Sequence, residues 1–258
     1  MFGVYGADER RGAAAMGCVA LALAVLTGCG GGSGEEPADG GGKPGKGAAS
    51  RPAATPAPAG GLTEAQLTAV AFTDGERVGE FTASDYTLDG PLGDAYTATP
   101  AVCQPLVSLA GDVSGHEPTA QVQRKVDKPE EMLGVTVDVT LRSYADGEAA
   151  QVMKALGTAG RECAGGLTEE RAIARATYEK VEPVTPPAFA EEADEAQSYR
   201  FTVLDVKGKL KLYEYLTVVR SGSTTLAFRG EILGTTDIGG IPDAVLAAQW
   251  KKFRAGQA

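Results

Sequence analysis

Histidine and tryptophan each occur once in these 258 residues, as His116 and Trp250, and cysteine only four times. One imidazole and so few thiols leave no ligand set for a Cys/His zinc site, and no EF-hand spacing of acidic residues is present for calcium. No metal or other cofactor is therefore expected. Bases are scarcer than acids, with 24 Lys and Arg against 34 Asp and Glu. No basic run is longer than a pair, and the others are single or spaced, as in "KGKLK" at 207–211. Nucleic acid needs a basic footprint and is not an expected partner. Aromatics make up only 6% of the chain, which leaves few to line the large apolar cavity of a lipid carrier.

The only long apolar stretch, Gly12 to Leu26, is about 15 residues, too short for a comfortable membrane span. It follows Arg10 and Arg11, the basic-then-apolar order of a secretory signal peptide. The stretch ends in Leu26-Thr27-Gly28-Cys29, which resembles the lipobox of bacterial lipoproteins. That resemblance implies a leader over residues 1–28, cut before Cys29, with acyl chains on the Cys29 sulfur. Two chains at about 0.8 kcal/mol per buried methylene anchor stably where one does not. Arg10-Arg11 leaves the export route open between the general and twin-arginine pathways.

Residues 29–61 follow as lipidated cysteine plus linker. Gly30 to Gly61 holds no aliphatic side chain larger than alanine and no aromatic, so it cannot bury enough apolar surface to fold. A random coil of that length spans about 30 Å. The whole excess of acid over base lies beyond it, in 62–258, which is ample for one domain with a core. Such an acidic body is repelled by anionic head groups, which leaves membrane attachment to the acyl chains. Cys18 falls within the leader. Cys103 and Cys163 remain, and export to an oxidising compartment predicts a disulfide between them.

The hydrophobic period organises this domain. Thr63 and Gln66 have capping-box spacing at the start of "LTEAQLTAVAF". "EFTASDYTL", "TAQVQRKV" and "LGVTVDVTLRSY" read as strands, and "PAVCQPLVSLAG" as a short helix. Asp146 to Cys163 predicts a helix capped by Asp146, with Ala149, Val152, Met153, Leu156, Gly160 and Cys163 on its buried stripe. "RAIARATYEKVEPV" is ambiguous, its second half a strand ended by Pro183. Then come three strands, "QSYRFTVLDV", "KLKLYEYLTVVR" and "TTLAFRGEILG", joined by turns at "KG" and "SGS". "IPDAVLAAQWKKF" closes as a helix with Leu246, Trp250 and Phe253 inward. The class is α+β, an antiparallel meander packed by a few helices.

Catalytic constellations are not evident. Asp112, Ser114 and His116 are neighbours in a Gly- and Pro-flanked loop, a spacing that builds no rigid relay, and the Gly-x-Ser-x-Gly elbow is missing. A lone loop histidine of this kind reads as a surface residue. "EEADE" at 191–195 reads as a solvated acidic loop or, less simply, a cation site. Tyr213 and Tyr215 on one strand, with Tyr199 and Phe201 on its neighbour, read as core or as the lining of an open groove.

The opening "LTEAQLTAVAF", "CQPL" at 103–106, "AGREC" ending at Cys163 and a last hairpin running into "GIPDAVLAAQWKKF" together resemble the PknH-like extracellular, sensor-type domains of actinobacterial lipoproteins and receptor kinases. The PsbP/Mog1-like lipoprotein sandwich is a second resemblance. The first implies a central antiparallel sheet packed by helices, with a cleft for an extracellular ligand. This chain departs from it in having cysteines for one disulfide rather than two, its tryptophan only in the last helix, and no kinase. The expected function is a membrane-anchored extracytoplasmic sensor or accessory module, not an enzyme, binding a small molecule or an envelope protein at the outer face of the cell membrane. A cell-envelope hydrolase and a lipid carrier are the alternatives.

Overall fold

The computed structural model describes residues 61–86, 96–107, 116–128, 134–171, 174–232 and 234–257. The leader, Cys29 and the linker as far as residue 60 lie outside them, as do Asp112 and Ser114. Among the described residues, ten strands form one antiparallel sheet. They are β1 (Arg77–Val78), β2 (Phe81–Ser84), β3 (Thr97–Thr99), β4 (Ala120–Asp127), β5 (Val135–Ser143), β6 (Leu167–Arg171), β7 (Ala174–Pro183), β8 (Glu195–Leu204), β9 (Lys211–Ser221) and β10 (Thr224–Ile232). The order across the sheet is β1-β2-β4-β5-β10-β9-β8-β7-β6-β3. The expected meander runs unbroken from β6 to β10; β10 then pairs with β5, and β3 crosses to the far edge beside β6.

Among the described residues, four helices cover the two faces: α1 (Glu64–Val70), α2 (Gln104–Val107), α3 (Glu148–Glu162) and α4 (Asp243–Ala255). The period of two sorts the strands between them. On β9, Tyr215 and Val219 enter the core under α1 and α4, while Leu216 and Val218 enter the core under α2 and α3. The first core also takes Val137, Val139 and Leu141 from β5 and Leu226 and Phe228 from β10. The second takes Tyr199, Phe201 and Val203 from β8 and Tyr178 and Val181 from β7. A bulge in β7 between Tyr178 and Lys180 lets two residues three apart reach the same face.

Local chemistry explains the helices. The capping box at Thr63 and Gln66 is formed in both directions. The α3 stripe is buried as predicted, with Ala159 added to it. Its start differs: Gly147, at φ 80°, is the N-cap rather than Asp146, and no side chain caps the turn. A left-handed entry of this kind favours glycine, and it turns the chain sharply off β5. In α4, Leu246, Trp250 and Phe253 are buried, and Phe189 stacks on Trp250 at 5.2 Å. Gln249 is fully buried on the same helix. Its amide accepts from the Phe72 N–H at 3.0 Å and donates to the Val70 carbonyl at 2.7 Å, closing the open end of α1.

Candidate functional site

Helix α3 lies close on β8 because two of its residues lack side chains. A Cβ at Gly157 would stand 3.3 Å from the Gln197 amide, and one at Gly160 would overlap the Tyr199 ring. The Gln197 amide nitrogen donates to the Met153 carbonyl at 2.8 Å, and the Tyr199 hydroxyl donates to Gln197 Oε1 at 2.8 Å. The end of α3, with Gly157, Gly160 and Arg161, and Ala164 after it make one wall of a groove here. The chain leaving β7 makes the opposite wall, with Pro183, Val184 and Pro186. Between them is an open groove of about 570 Å³, its floor formed by Ala196 to Tyr199. Among the described residues, Arg161 is the only charged one lining it. Its guanidinium is exposed, touches Thr158 Oγ1 at 3.4 Å and makes no ion pair among the described residues. Burial raises the pKa of the Tyr199 hydroxyl, with Arg161 pulling the other way. The groove can therefore accept a mostly apolar body and one negative group.

The disulfide frames this region. Cys163, directly after α3, is bonded to Cys103 in the 3₁₀ turn Ala101–Cys103, with Cα atoms 5.9 Å apart. The staple ties the end of α3, one wall of the groove, to the short α2. A shallower hollow of about 350 Å³ lies on the other side of α3, between Val102, Pro105, Lys154 and His116. His116 Nδ1 bonds the Glu148 carboxylate in the first turn of α3, which makes it a partner of that helix.

A buried ionic cluster sits deeper under the same face. Arg229 of β10 pairs with Glu214 of β9 and donates to the Tyr178 hydroxyl at 2.6 Å. Tyr178 in turn donates to Glu169 of β6 at 2.7 Å. Arg229 also reaches the Leu106 carbonyl at 3.3 Å and lies over the Phe201 ring. Burial raises the pKa of Glu214, with Glu231 and Glu169 adding to the rise and Arg229 opposing it. Burial would lower the pKa of Arg229, but Tyr178, Glu214, Glu169 and Glu231 together hold it well above the ordinary value. The two carboxylates are close, yet a cation and a phenol already occupy the space between them. The cluster joins four strands and α2, and none of its members was singled out in the sequence.

The tyrosines do not share a groove. Tyr213 and Tyr215 face α4, whereas Tyr199 and Phe201 face α3. The Tyr215 hydroxyl bonds Asp237 and accepts from the N–H groups of Ile238 and Gly239 at 3.1 and 3.2 Å, which docks that loop. The acidic run is likewise engaged: Asp194 and Glu195 both pair with Arg220, and Glu192 accepts from the Trp250 indole at 3.3 Å. No group of three or more metal-ligating side chains is arranged for an ion among the described residues, and no described helix is long and apolar enough to cross a membrane.

No protein-family model matches the chain, and no curated protein sequence does. Among solved structures, it is similar to the extracellular domain of PknH from Mycobacterium tuberculosis, at 14% identity and a TM-score of 0.50. The match covers 76% of this chain and 97% of that one. An uncharacterized protein (Rv0999 ortholog) from Mycobacterium smegmatis aligns at 16% identity over 78% of this chain and 99% of its own, with a TM-score of 0.41. The described residues thus have the fold of the PknH extracellular domain, the first of the two resemblances read from the sequence.

Proposed function

We propose that this chain is an extracytoplasmic binding module, held to the outer face of the cell membrane by acyl chains on Cys29, and that its ligand occupies the groove between α3 and the β7–β8 edge. The observation that carries this reading is the groove itself. It is open and mostly apolar, and among the described residues its single charged lining side chain, Arg161, makes no ion pair. Sites for small molecules commonly combine such apolar walls with a few directed polar groups. The ligand class that follows is a small, largely apolar molecule with one anionic group. An extracytoplasmic setting accords with the lipobox-like Leu26-Thr27-Gly28-Cys29, with the disulfide, and with a fold shared with a domain described as extracellular.

The rivals fit less well. The described hollows are well below the roughly 1,000 Å³ upper range of ligand cavities that a lipid carrier would fill. The Glu169–Glu214 pair is bridged by Arg229 and Tyr178 and lines neither hollow, so it offers a hydrolase no open pair of carboxylates. The test is a thermal-shift screen of the domain against carboxylated and phosphorylated apolar envelope metabolites. A true ligand at 100 times its Kd adds about 2.7 kcal/mol. The shift should vanish in Ala164→Trp, which fills the groove, and weaken in Arg161→Ala; a hit equally strong in both variants places the ligand elsewhere. Membrane attachment is tested separately. Cys29→Ala should appear in the medium, and retention of that variant at the membrane refutes the anchor.

A further inference from the structure

We infer that the β8–β9 hairpin tip, Asp205 to Lys211, is a membrane-contacting finger for the anionic phospholipid surface. It is a local exception to the repulsion expected of the acidic body as a whole, at the stretch where three lysines fall within five residues, Lys207, Lys209 and Lys211. Lys211 is paired with Glu179, but Lys207 and Lys209 are exposed and make no ion pair among the described residues. Two large apolar side chains sit beside the lysines, Val206 directly before Lys207 and Leu210 between Lys209 and Lys211. Val206 is 97% exposed and Leu210 53%, the two highest values among the described large hydrophobics.

The tip is a built turn. Asp205 Oδ1 accepts from the N–H groups of Lys209 at 2.6 Å and Leu210 at 2.8 Å, and the Asp205 carbonyl accepts from Gly208, whose φ is 64°. The one acidic side chain of the turn is thus folded inward onto backbone, leaving lysines and apolar groups outward. A nearly bare valine next to Lys207 and an exposed leucine between Lys209 and Lys211 suit an interface where apolar side chains enter the head-group region and lysine ammoniums stay with the phosphates. A free anion in solution would use the lysines and leave Val206 and Leu210 without a role.

The position of the tip fits this use. The chain enters the domain at Gly61, packed on Ser143 and Tyr144. Ser143 pairs with Thr224, and Thr224 with Ser221, at the end of β9 opposite the tip. That end is about 33 Å away at roughly 3.3 Å per residue. If Cys29 carries the anchor, the residues from Gly30 to Gly61 can extend to about 100 Å, ample for the far end to turn to the bilayer. The acyl chains would then hold the protein near the membrane, and the finger would set which way its groove faces.

The experiment needs no acyl chain, so its outcome is separable from the lipoprotein reading. Every strand, both cores and the disulfide lie within the compact unit Pro52–Ala258, which is purified and sedimented with vesicles. Binding to vesicles of phosphatidylglycerol with phosphatidylcholine is expected at low salt. It should fall steeply as salt shortens the Debye length from about 30 Å at 0.01 M to about 10 Å at 0.1 M, and be absent on phosphatidylcholine alone. Lys207→Glu with Lys209→Glu should weaken it at least tenfold, and Val206→Ser with Leu210→Ser several-fold, with melting temperatures unchanged because all four side chains are exposed. No sedimentation with anionic vesicles, or equal binding by the charge-reversed variant, overturns the proposal. So does a Val206-dependent dimer in solution.

Discussion

The two faces of the sheet are built by different means. The face under α1 and α4 is an ordinary aliphatic and aromatic core, closed by Trp250, Phe253 and the buried amide of Gln249. The face under α2 and α3 has a disulfide, two glycines where a helix meets the sheet, and four polar side chains locked together beneath the surface. Apolar packing tolerates adjustment, whereas an ion network and a covalent staple hold only one geometry. Both described hollows flank α3 on the second face. The geometry is therefore fixed most firmly where the candidate ligand would sit.

The sharpest way to break this contrast is Arg229→Met. Removing the cation leaves Glu214 and Glu169 buried together, and an orphaned buried charge costs about 3–5 kcal/mol. We expect the upper end, read by urea denaturation. Arg229→Met combined with Glu214→Leu and Glu169→Gln should recover much of the loss. If the single variant is as stable as the parent, the cluster is not the pin assigned here. Replacing Cys103 and Cys163 with alanine comes next. Freeing a loop of 60 residues should lose about 4 kcal/mol by chain entropy. A loss under about 1 kcal/mol would mean that packing alone holds α3.

The first face answers with Gln249→Leu. The leucine nearly fills the space but leaves the Phe72 N–H and the Val70 carbonyl without partners, which should cost about 2–3 kcal/mol. Trp250, the only tryptophan, reports unfolding of that face directly. Retained stability in this variant would show that water satisfies those groups and that the α1–α4 clamp is dispensable.

What could be read in the sequence follows the same division. Helix α3 was legible because its buried residues recur within one element, and Cys163 continued that stripe towards a partner. The last three strands announced themselves through alternation and short turns. The short β1, β3 and β6 gave no period to count, and Gly147 displaced Asp146 as cap because the entry needs a positive φ. The ionic cluster was hidden because its members come from four strands spread from Glu169 to Arg229. One trace of it exists. Glu214 stands at the parity of Leu212, Leu216 and Val218, and Arg229 at the parity of Ala227, so each is a charge at an inward position. The groove was hidden for another reason: it lies between α3 and the chain after β7, and how α3 sits on β8 depends on Gly157 and Gly160 meeting Gln197 and Tyr199.

The smallest expected effect is also the most discriminating, because two carboxylates on opposite faces should respond to pH with opposite sign. Asp237 takes the Tyr215 hydroxyl bond, which with the Gly239 N–H and Arg200 holds its pKa below the ordinary aspartate value against a modest burial penalty. A depressed folded pKa stabilises the fold above the unfolded value, and that contribution disappears as pH falls through the folded one. Asp237→Asn should therefore cost up to about 1 kcal/mol at pH 6–7, with the gap to the parent closing below about pH 4. Glu214 behaves in reverse. Burial raises its pKa, so its contribution is complete below the unfolded value and fades as pH climbs through the folded one. Glu214→Gln should then gain on the parent as pH rises from about 4 to 8, even while it loses the Arg229 ion pair. Denaturation series across that range, followed by Trp250 fluorescence, give two slopes. If they share a sign, the two faces do not differ electrostatically as described, and Glu214 is solvated despite its place beneath α2.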